Sequence, residues 1–321
     1  MANTRLRAMT STVGCIVLVA LCGSGMAATQ LQWKLAKGKT YYQKTVIEQQ
    51  ITQAVMGQEQ KMEQGLGTGM KLQVLDVDAQ GNMRIQYTYL WTKLRQVNPM
   101  AQVDYDSSRQ SAAVPAGAEA FAALIGQSYT AKVTSKGKVL DVNGVEQLRD
   151  AVLKKLPAGA DANIGMNPVA GYLDKDSVRQ MTEAGMAIYP DKPVNAGDSW
   201  NKEITLTIGF KTIIQSKWTL QKEQAGVATI GVAATMRTDP NGPAMDMGGM
   251  KMRFVLSGTQ EGTLQVAETT GLVTAGNERT QLKGDIRIGD SPEGQPTMTI
   301  PTTIDTRTTS EMSEQMWKTS P

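Results

Sequence analysis

The run MRIQYTYLW, Met83–Trp91, alternates apolar and polar residues with a period of two. Met83, Ile85, Tyr87, Tyr89 and Trp91 fall on one face and Arg84, Gln86 and Thr88 on the other. Successive side chains of a strand point to opposite faces, so this pattern describes a half-buried strand and does not suit a helix. RTQLKGDIRI, Arg279–Ile288, repeats it, with Leu282, Ile286 and Ile288 opposite a fully polar face. Met298, Ile300 and Ile304 do the same in TMTIPTTID. Pro301 has no N–H to give a ladder, so that strand is expected at a sheet edge or bulged there.

Glycine turns set the connectivity. Paired strand patterns flank Gln80–Asn82, Gly137, Ala225–Gly226 and Gly271. Glycine supplies the positive φ of tight hairpins, so four such pairs predict an antiparallel meander. Two further segments echo one another. KGKTYY (Lys37–Tyr42) and AGDSW (Ala196–Trp200) each place a Gly, a charge, a hydroxyl residue and an aromatic before a long strand and a hairpin. The echo implies two related β-lobes, each anchored by its aromatic. Burial of Tyr41 or Trp200 would contribute roughly 1.5–3 kcal/mol. Between the lobes the period lengthens. Asn143 and Glu146 form a candidate capping box, followed by the stripe Val145, Leu148, Val152 and Leu156. Further helices are expected near Ala118–Leu124 and Lys175–Ala187.

The fold class is therefore mainly β (α+β), with antiparallel curved sheets in two lobes around a helical middle. The expected divisions are residues 1–27 as a signal peptide and 28–115 as a first β-lobe. Residues 116–187 hold helices plus one hairpin, and 188–321 a second β-lobe with a polar tail in which Trp317 is the one anchor.

The first segment reads as a secretory signal. Arg5 and Arg7 precede an apolar run, Val13–Leu21, too short to span a bilayer. Gly25 and Ala27 then put small residues where a signal peptidase needs them, for cleavage after Ala27 or Ala28. An uncleaved anchor is the alternative. Lipidation at Cys22 is disfavoured because Leu21 precedes it. The expected location is periplasmic or secreted, and no other run reaches membrane-spanning length.

Cleavage removes Cys15 and Cys22, the only cysteines, so the mature chain can hold no disulfide or thiolate. The chain has no histidine. Serine triads, Cys–His dyads and ordinary zinc sites are thereby excluded. A net charge of +3 before cleavage, without basic clusters, argues against a nucleic-acid partner. No cofactor is implied, and a non-enzymatic protein is expected.

Four motifs carry a chemical suggestion. DVDAQG begins like a calcium loop at Asp76 and Asp78, but Gln80 and Tyr87 stand where further oxygen ligands belong, so a hairpin turn is expected. Ser135 and Lys138 share the S-x-x-K spacing of penicillin-recognising enzymes, yet Gly137 lies between them and the partner motifs do not occur. Asp174 and Asp176 sit where a helix starts. Met245, Met247, Met250 and Met252 crowd one loop, and thioethers suit Cu(I) or Ag(I). In a chain with 19 Met, packing is the competing reading.

The stretches YPDKPVNAGDSW (Tyr189–Trp200), LQWKLAKGKTYY (Leu31–Tyr42), TSKGKVLDVNGVEQL (Thr134–Leu148) and PTTIDTRTTSEM (Pro301–Met312) resemble an uncharacterised family of exported bacterial proteins, a domain of unknown function. The resemblance implies no catalytic residues. More loosely, the expected fold is similar to the curved sheets of periplasmic lipoprotein carriers. The leading expectation is a hydrophobic or lipid-like ligand, or an envelope protein partner, held against a curved sheet with Ile85, Tyr87, Tyr89 and Trp91 in its lining. Cu(I) or Ag(I) binding by the methionine loop and a purely structural envelope role are the alternatives.

Overall fold

A computed structural model describes residues 28–99, 102–109, 113–156, 172–208, 210–240, 242, 244–247, 250–289 and 297–317, without the side chains of residues 208, 246, 247 and 250. Residues 1–27, where a signal peptide is expected, lie outside the described residues. Among these, the chain forms β1 (Thr40–Val55), β2 (Gln58–Val77), β3 (Met83–Val97), β4 (Gln102–Asp106), α1 (Glu119–Leu124), β5 (Ser128–Val133), β6 (Val139–Asn143), α2 (Val145–Leu153) and α3 (Lys175–Met186). It continues through β7 (Ser199–Ile208), β8 (Phe210–Gln224), β9 (Val227–Thr238), β10 (Met245–Met247), β11 (Met250–Ala267), β12 (Val273–Ile288) and β13 (Met298–Ser313). No described helix is long and apolar enough to cross a membrane.

All thirteen strands belong to one antiparallel sheet, ordered β6-β5-β3-β2-β1-β13-β12-β11-β9-β8-β7, with β4 on β3 and β10 on β11. The two meanders are continuous with one another. β1 and β13 pair from Tyr42 opposite Ser313 to Gln53 opposite Thr302. The two Gly-plus-aromatic segments lead into strands with the same local hydrogen bonds. Gly38 N–H donates to Val74 O (2.8 Å) and Val74 N–H to Lys39 O (2.9 Å); Gly197 N–H donates to Leu220 O (2.7 Å) and Leu220 N–H to Asp198 O (3.0 Å). Tyr41 is buried, and Trp200 packs against the core while its indole N–H donates to Ile188 O at 3.0 Å. The strands they lead into differ in place: β1 is central and β7 is an edge.

One face of the sheet carries the core. Tyr41, Leu72, Val74, Met83, Ile85, Ala131 and Val133 are each at most 2% exposed, and α1, α2 and α3 close over them. The core runs on to Trp218, Leu220, Ile230, Leu264 and Val266 of the second meander. The segment before β1 seals this end. Thr29 bridges Val194, Trp33 N–H donates to Ser135 O (2.8 Å), and Lys34 N–H to Thr270 O (2.9 Å). Gly271, at φ +76°, lets this segment in, because a Cβ there would lie 2.0 Å from Gln32 O.

The unclosed sheet ends in β6 on one side and β7 on the other, and an exposed edge invites aggregation. Helix α3 packs on both. Its Glu183 Oε1 accepts from Val139 N–H of β6 (3.0 Å), and its Gln180 Oε1 accepts from Thr207 N–H of β7 (2.6 Å). Side chains of one helix thus take hydrogen bonds that a further strand would otherwise satisfy.

Three local expectations change. Helix α2 is not capped by a capping box: its N-cap is Gly144 at φ +86°, and Asn143 Nδ2 donates to Asp141 instead. β13 is central, not an edge, and Pro301 is tolerated because the β1 ladder ends one residue away, at Thr302. The β1–β2 hairpin, turning at Met56 (φ 50°) and Gly57 (φ 78°), had no marked sequence signal. Its return strand carries glycine at 65, 67 and 69 and so hides its alternation. The other two helices fall where expected, with Asp174 capping α3 through Ser177 N–H (2.9 Å).

Glu183→Ala is expected to destabilise the protein by about 1–3 kcal/mol in urea unfolding, since it orphans a backbone donor at a packed edge. Hydrogen exchange of the Val139 amide should accelerate in the same variant; an unchanged amide would show that α3 does not protect the edge.

Candidate functional site

The four expected lining residues do not form an open groove. Ile85 and Tyr87 are 0% and 4% exposed, inside the sealed core, where Tyr87 stacks on Tyr129 with ring centroids 5.0 Å apart. Burial raises the Tyr87 phenol pKa far above its ordinary value and pushes Tyr89 up to about 12. These are packing tyrosines. Trp91 lies on the opposite face. Between β2 and β3, Met70 pairs with Tyr89 but Gly69 pairs with Trp91, which leaves Leu90 as an extra residue. A bulge of this kind inverts the alternation beyond it. Trp91 therefore lies over Gly67, where a Cβ would come within 2.4 Å of the indole. Its N–H donates to Asp106 Oδ1 at 2.7 Å, and Lys44 Nζ sits 5.3 Å from its ring. Trp317 anchors the tail on this same outer face, edge-on to Tyr42.

The half-open part of the inner face lies elsewhere, and only strand register defines it. Directly paired residues across eight strands read Met62 (β2), Ile51 (β1), Ile304 (β13), Leu282 (β12), Gly258 (β11), Met236 (β9), Ile214 (β8) and Ile204 (β7). All are only partly buried. This apolar rung opens into a cleft of about 230 Å³ lined by Leu206, Phe210, Met236, Thr238, Leu256 and Leu282. Phe210 and Phe254 stack nearby at 4.5 Å. The cleft is smaller than the roughly 300–1,000 Å³ of small-molecule pockets, so it suits a chain end or one ring.

The next rung towards the core is polar except at Ala234: Gln64, Gln49, Thr306, Thr280, Gln260, Ala234, Ser216 and Lys202. Gln49 Nε2 donates to Thr306 Oγ1 at 3.1 Å. Gln260 Nε2 donates to Glu278 Oε1 at 3.0 Å. Glu278 is half-buried one rung deeper, and burial raises its carboxyl pKa, partly offset by the Gln260 hydrogen bond.

The outer face is different in kind. One of its rungs reads Arg95, Gly65, Glu48, Arg307, Arg279 and Glu261. Arg279 clamps Asp305 through both Nε and Nη2, which holds that carboxyl below its ordinary value, and Arg95 pairs with Glu63 at 2.7 Å. Broad troughs of about 940 and 770 Å³ run between its side-chain rows. They are open, as a solvated sheet face should be, and lined by both charged and apolar side chains.

The remaining motifs are turn and helix features. Asp78 accepts from the Gln80 and Asn82 amides and from Lys132, while Lys37 pairs with Asp76 at 2.8 Å, so both carboxylates of DVDAQG are held by lysines in a hairpin. Ser135 and Lys138 belong to the β5–β6 turn. Met245 and Met252 face one another across one rung of β10 and β11. The side chains of Met247 and Met250 lie outside the described residues.

The molecule is thus a single, unclosed antiparallel sheet whose two edges share a helix, with a sealed core at one end and a half-open inner face beyond it. Residues 80–273, more than half of the chain, match a family of unknown function, DUF6263, and the chain belongs to that family. No curated protein sequence matches it. Among solved structures, it is similar to one of lipovitellin, on lipid–protein interactions, at 11% identity and a TM-score of 0.46. That match covers 90% of this chain but 27% of lipovitellin, so the chain spans about a quarter of it. A DUF1329 family protein from Desulfovibrio piger ATCC 29098 overlaps 84% of each chain, at 10% identity and a TM-score of 0.12. Neither likeness extends to function.

Glu278→Gln should raise the melting temperature at pH 7.5 by about 2–4 °C, the shift that roughly 1 kcal/mol gives at this size. A carboxyl whose folded pKa is raised is neutral in both states at low pH and weakens the fold as pH climbs through its folded pKa. The two proteins should therefore melt together near pH 4. A variant that melts lower at pH 7.5 would show that the ionised carboxylate is favoured in the fold.

Proposed function

We propose that the protein is exported and binds a hydrophobic, lipid-like ligand without catalysing a reaction. The observation that carries this reading is the eight-strand apolar rung, half-buried and continuous with an apolar cleft. Such a surface costs free energy while wet, and a covering chain would recover it. Covering about 200 Å² of it would contribute roughly 5 kcal/mol at 25 cal/mol per Å², before the cost of immobilising the ligand. That falls short of the roughly 8 kcal/mol of micromolar binding, so polar contacts or more area must add to it.

Export is supported by Arg5 and Arg7, the apolar run Val13–Leu21 and the small residues Gly25 and Ala27. Absence of His from the sequence, and of Cys after cleavage, favours binding over catalysis. An envelope protein partner would use the same inner face. Cu(I) or Ag(I) binding has Met245 and Met252 opposed across one rung in its favour, and needs a third soft ligand.

Intact mass of protein recovered from the exported fraction should begin at Ala28 or Thr29; a mass that retains Met1 would overturn export by cleavage. Native mass spectrometry of protein purified from its own envelope should show a bound lipid-sized mass. Ile304→Glu, which puts a carboxylate into the apolar rung, should reduce its occupancy at least tenfold while the fold, checked by circular dichroism, persists. Consistently empty wild-type protein would sink the ligand reading.

A further inference from the structure

We infer that the inner face selects an amphiphile with an uncharged headgroup rich in hydroxyl or amide groups, seated on the polar rung with its chain along the apolar rung. This rests on the ligand reading above and adds the headgroup chemistry to it. The rungs are two residues apart along every strand, about 7 Å. That is the spacing between a small headgroup and the first carbons of its chain, so one molecule can occupy both.

The polar rung is built for neutral recognition. From Gln64 through Gln49, Thr306, Thr280 and Gln260 to Ser216, its polar groups are amides and hydroxyls, which both donate and accept. Much of that capacity is spare among the described residues. Gln49 and Gln260 each spend one N–H, on Thr306 and Glu278, which leaves their carbonyl oxygens. The Gln64 amide has no side-chain partner there. The indole N–H of Trp218 is a second, independent observation. Trp218 is 6% exposed, its Nε1 has no acceptor among the described residues, and it stands two residues from Ser216 on the same face. A buried donor without an acceptor is costly, and a headgroup oxygen reaching past Ser216 towards the core would relieve it.

The nearby charges discourage a charged headgroup. The one cation of this rung, Lys202, already meets Asp191 at 2.8 Å. An anionic headgroup would therefore find no free counter-charge on this rung. A cationic headgroup would need Glu278 ionised, and the burial of that carboxyl opposes ionisation.

The test compares three probes with the same chain: monomyristoylglycerol, myristate and myristylamine, titrated into delipidated mature protein by calorimetry. Monomyristoylglycerol should bind at least tenfold tighter than either charged probe, and a Gln49→Leu/Gln260→Leu variant should lose that advantage. Equal or tighter binding of myristate or myristylamine overturns the headgroup inference and leaves the hydrophobic-ligand reading standing. Failure of all three to bind, together with empty protein from the envelope, overturns both.

Discussion

The ladder between β1 and β13 is the interaction on which this structure depends. It joins the first and last strands of the chain and makes one sheet of two meanders. Its register also decides which residues look inward. Side chains alternate with a period of two, so a slip of one residue would move Ile47 and Ile51 to the solvated face and bring Glu48 and Gln50 inside. Because the neighbouring ladders inherit this phase, the apolar and polar rungs stay aligned across eight strands. The contact joins residues 249 to 271 positions apart, so it carries a large loop-closure cost that the local hairpins do not.

Two devices hold the sheet in this form. The segment before β1 ties the β5–β6 turn, the β11–β12 turn and Val194 to one another at the sealed end. Helix α3 then spans the two free edges, with a carboxylate on one backbone donor and an amide on the other. The helix protects edges that further strand pairing would otherwise remove. The inner face is packed near the helices, half-open at the polar and apolar rungs, and buried again beyond them at Thr238, Leu256, Ile286, Ile300 and Thr302.

The sequence carried much of the local structure. The four glycine hairpins, the positions of the three helices and the antiparallel class are all legible because they rest on near neighbours. The same reasoning failed at Trp91. Its alternation with Tyr87 and Tyr89 is regular in the sequence, but the extra residue Leu90 has no rung in β2 and turns the indole to the other face. A bulge depends on the partner strand, which no single-strand pattern reveals. Ile85 and Tyr87 do face inward, as their alternation predicts, but whether an inward residue is sealed or accessible depends on what covers it, and here α1, α2 and α3 do.

By itself the sequence determined the strand periods, the turns and the exclusion of histidine chemistry, since each is a property of residue type and spacing. The tertiary structure alone decided which strands are neighbours. Met62, Ile51, Ile304, Leu282, Met236, Ile214 and Ile204 are scattered over more than 240 positions and belong to no motif. They become one surface only because hydrogen-bonded ladders bring their Cα atoms into the same rung, and that juxtaposition is set by long-range pairing rather than by local preference.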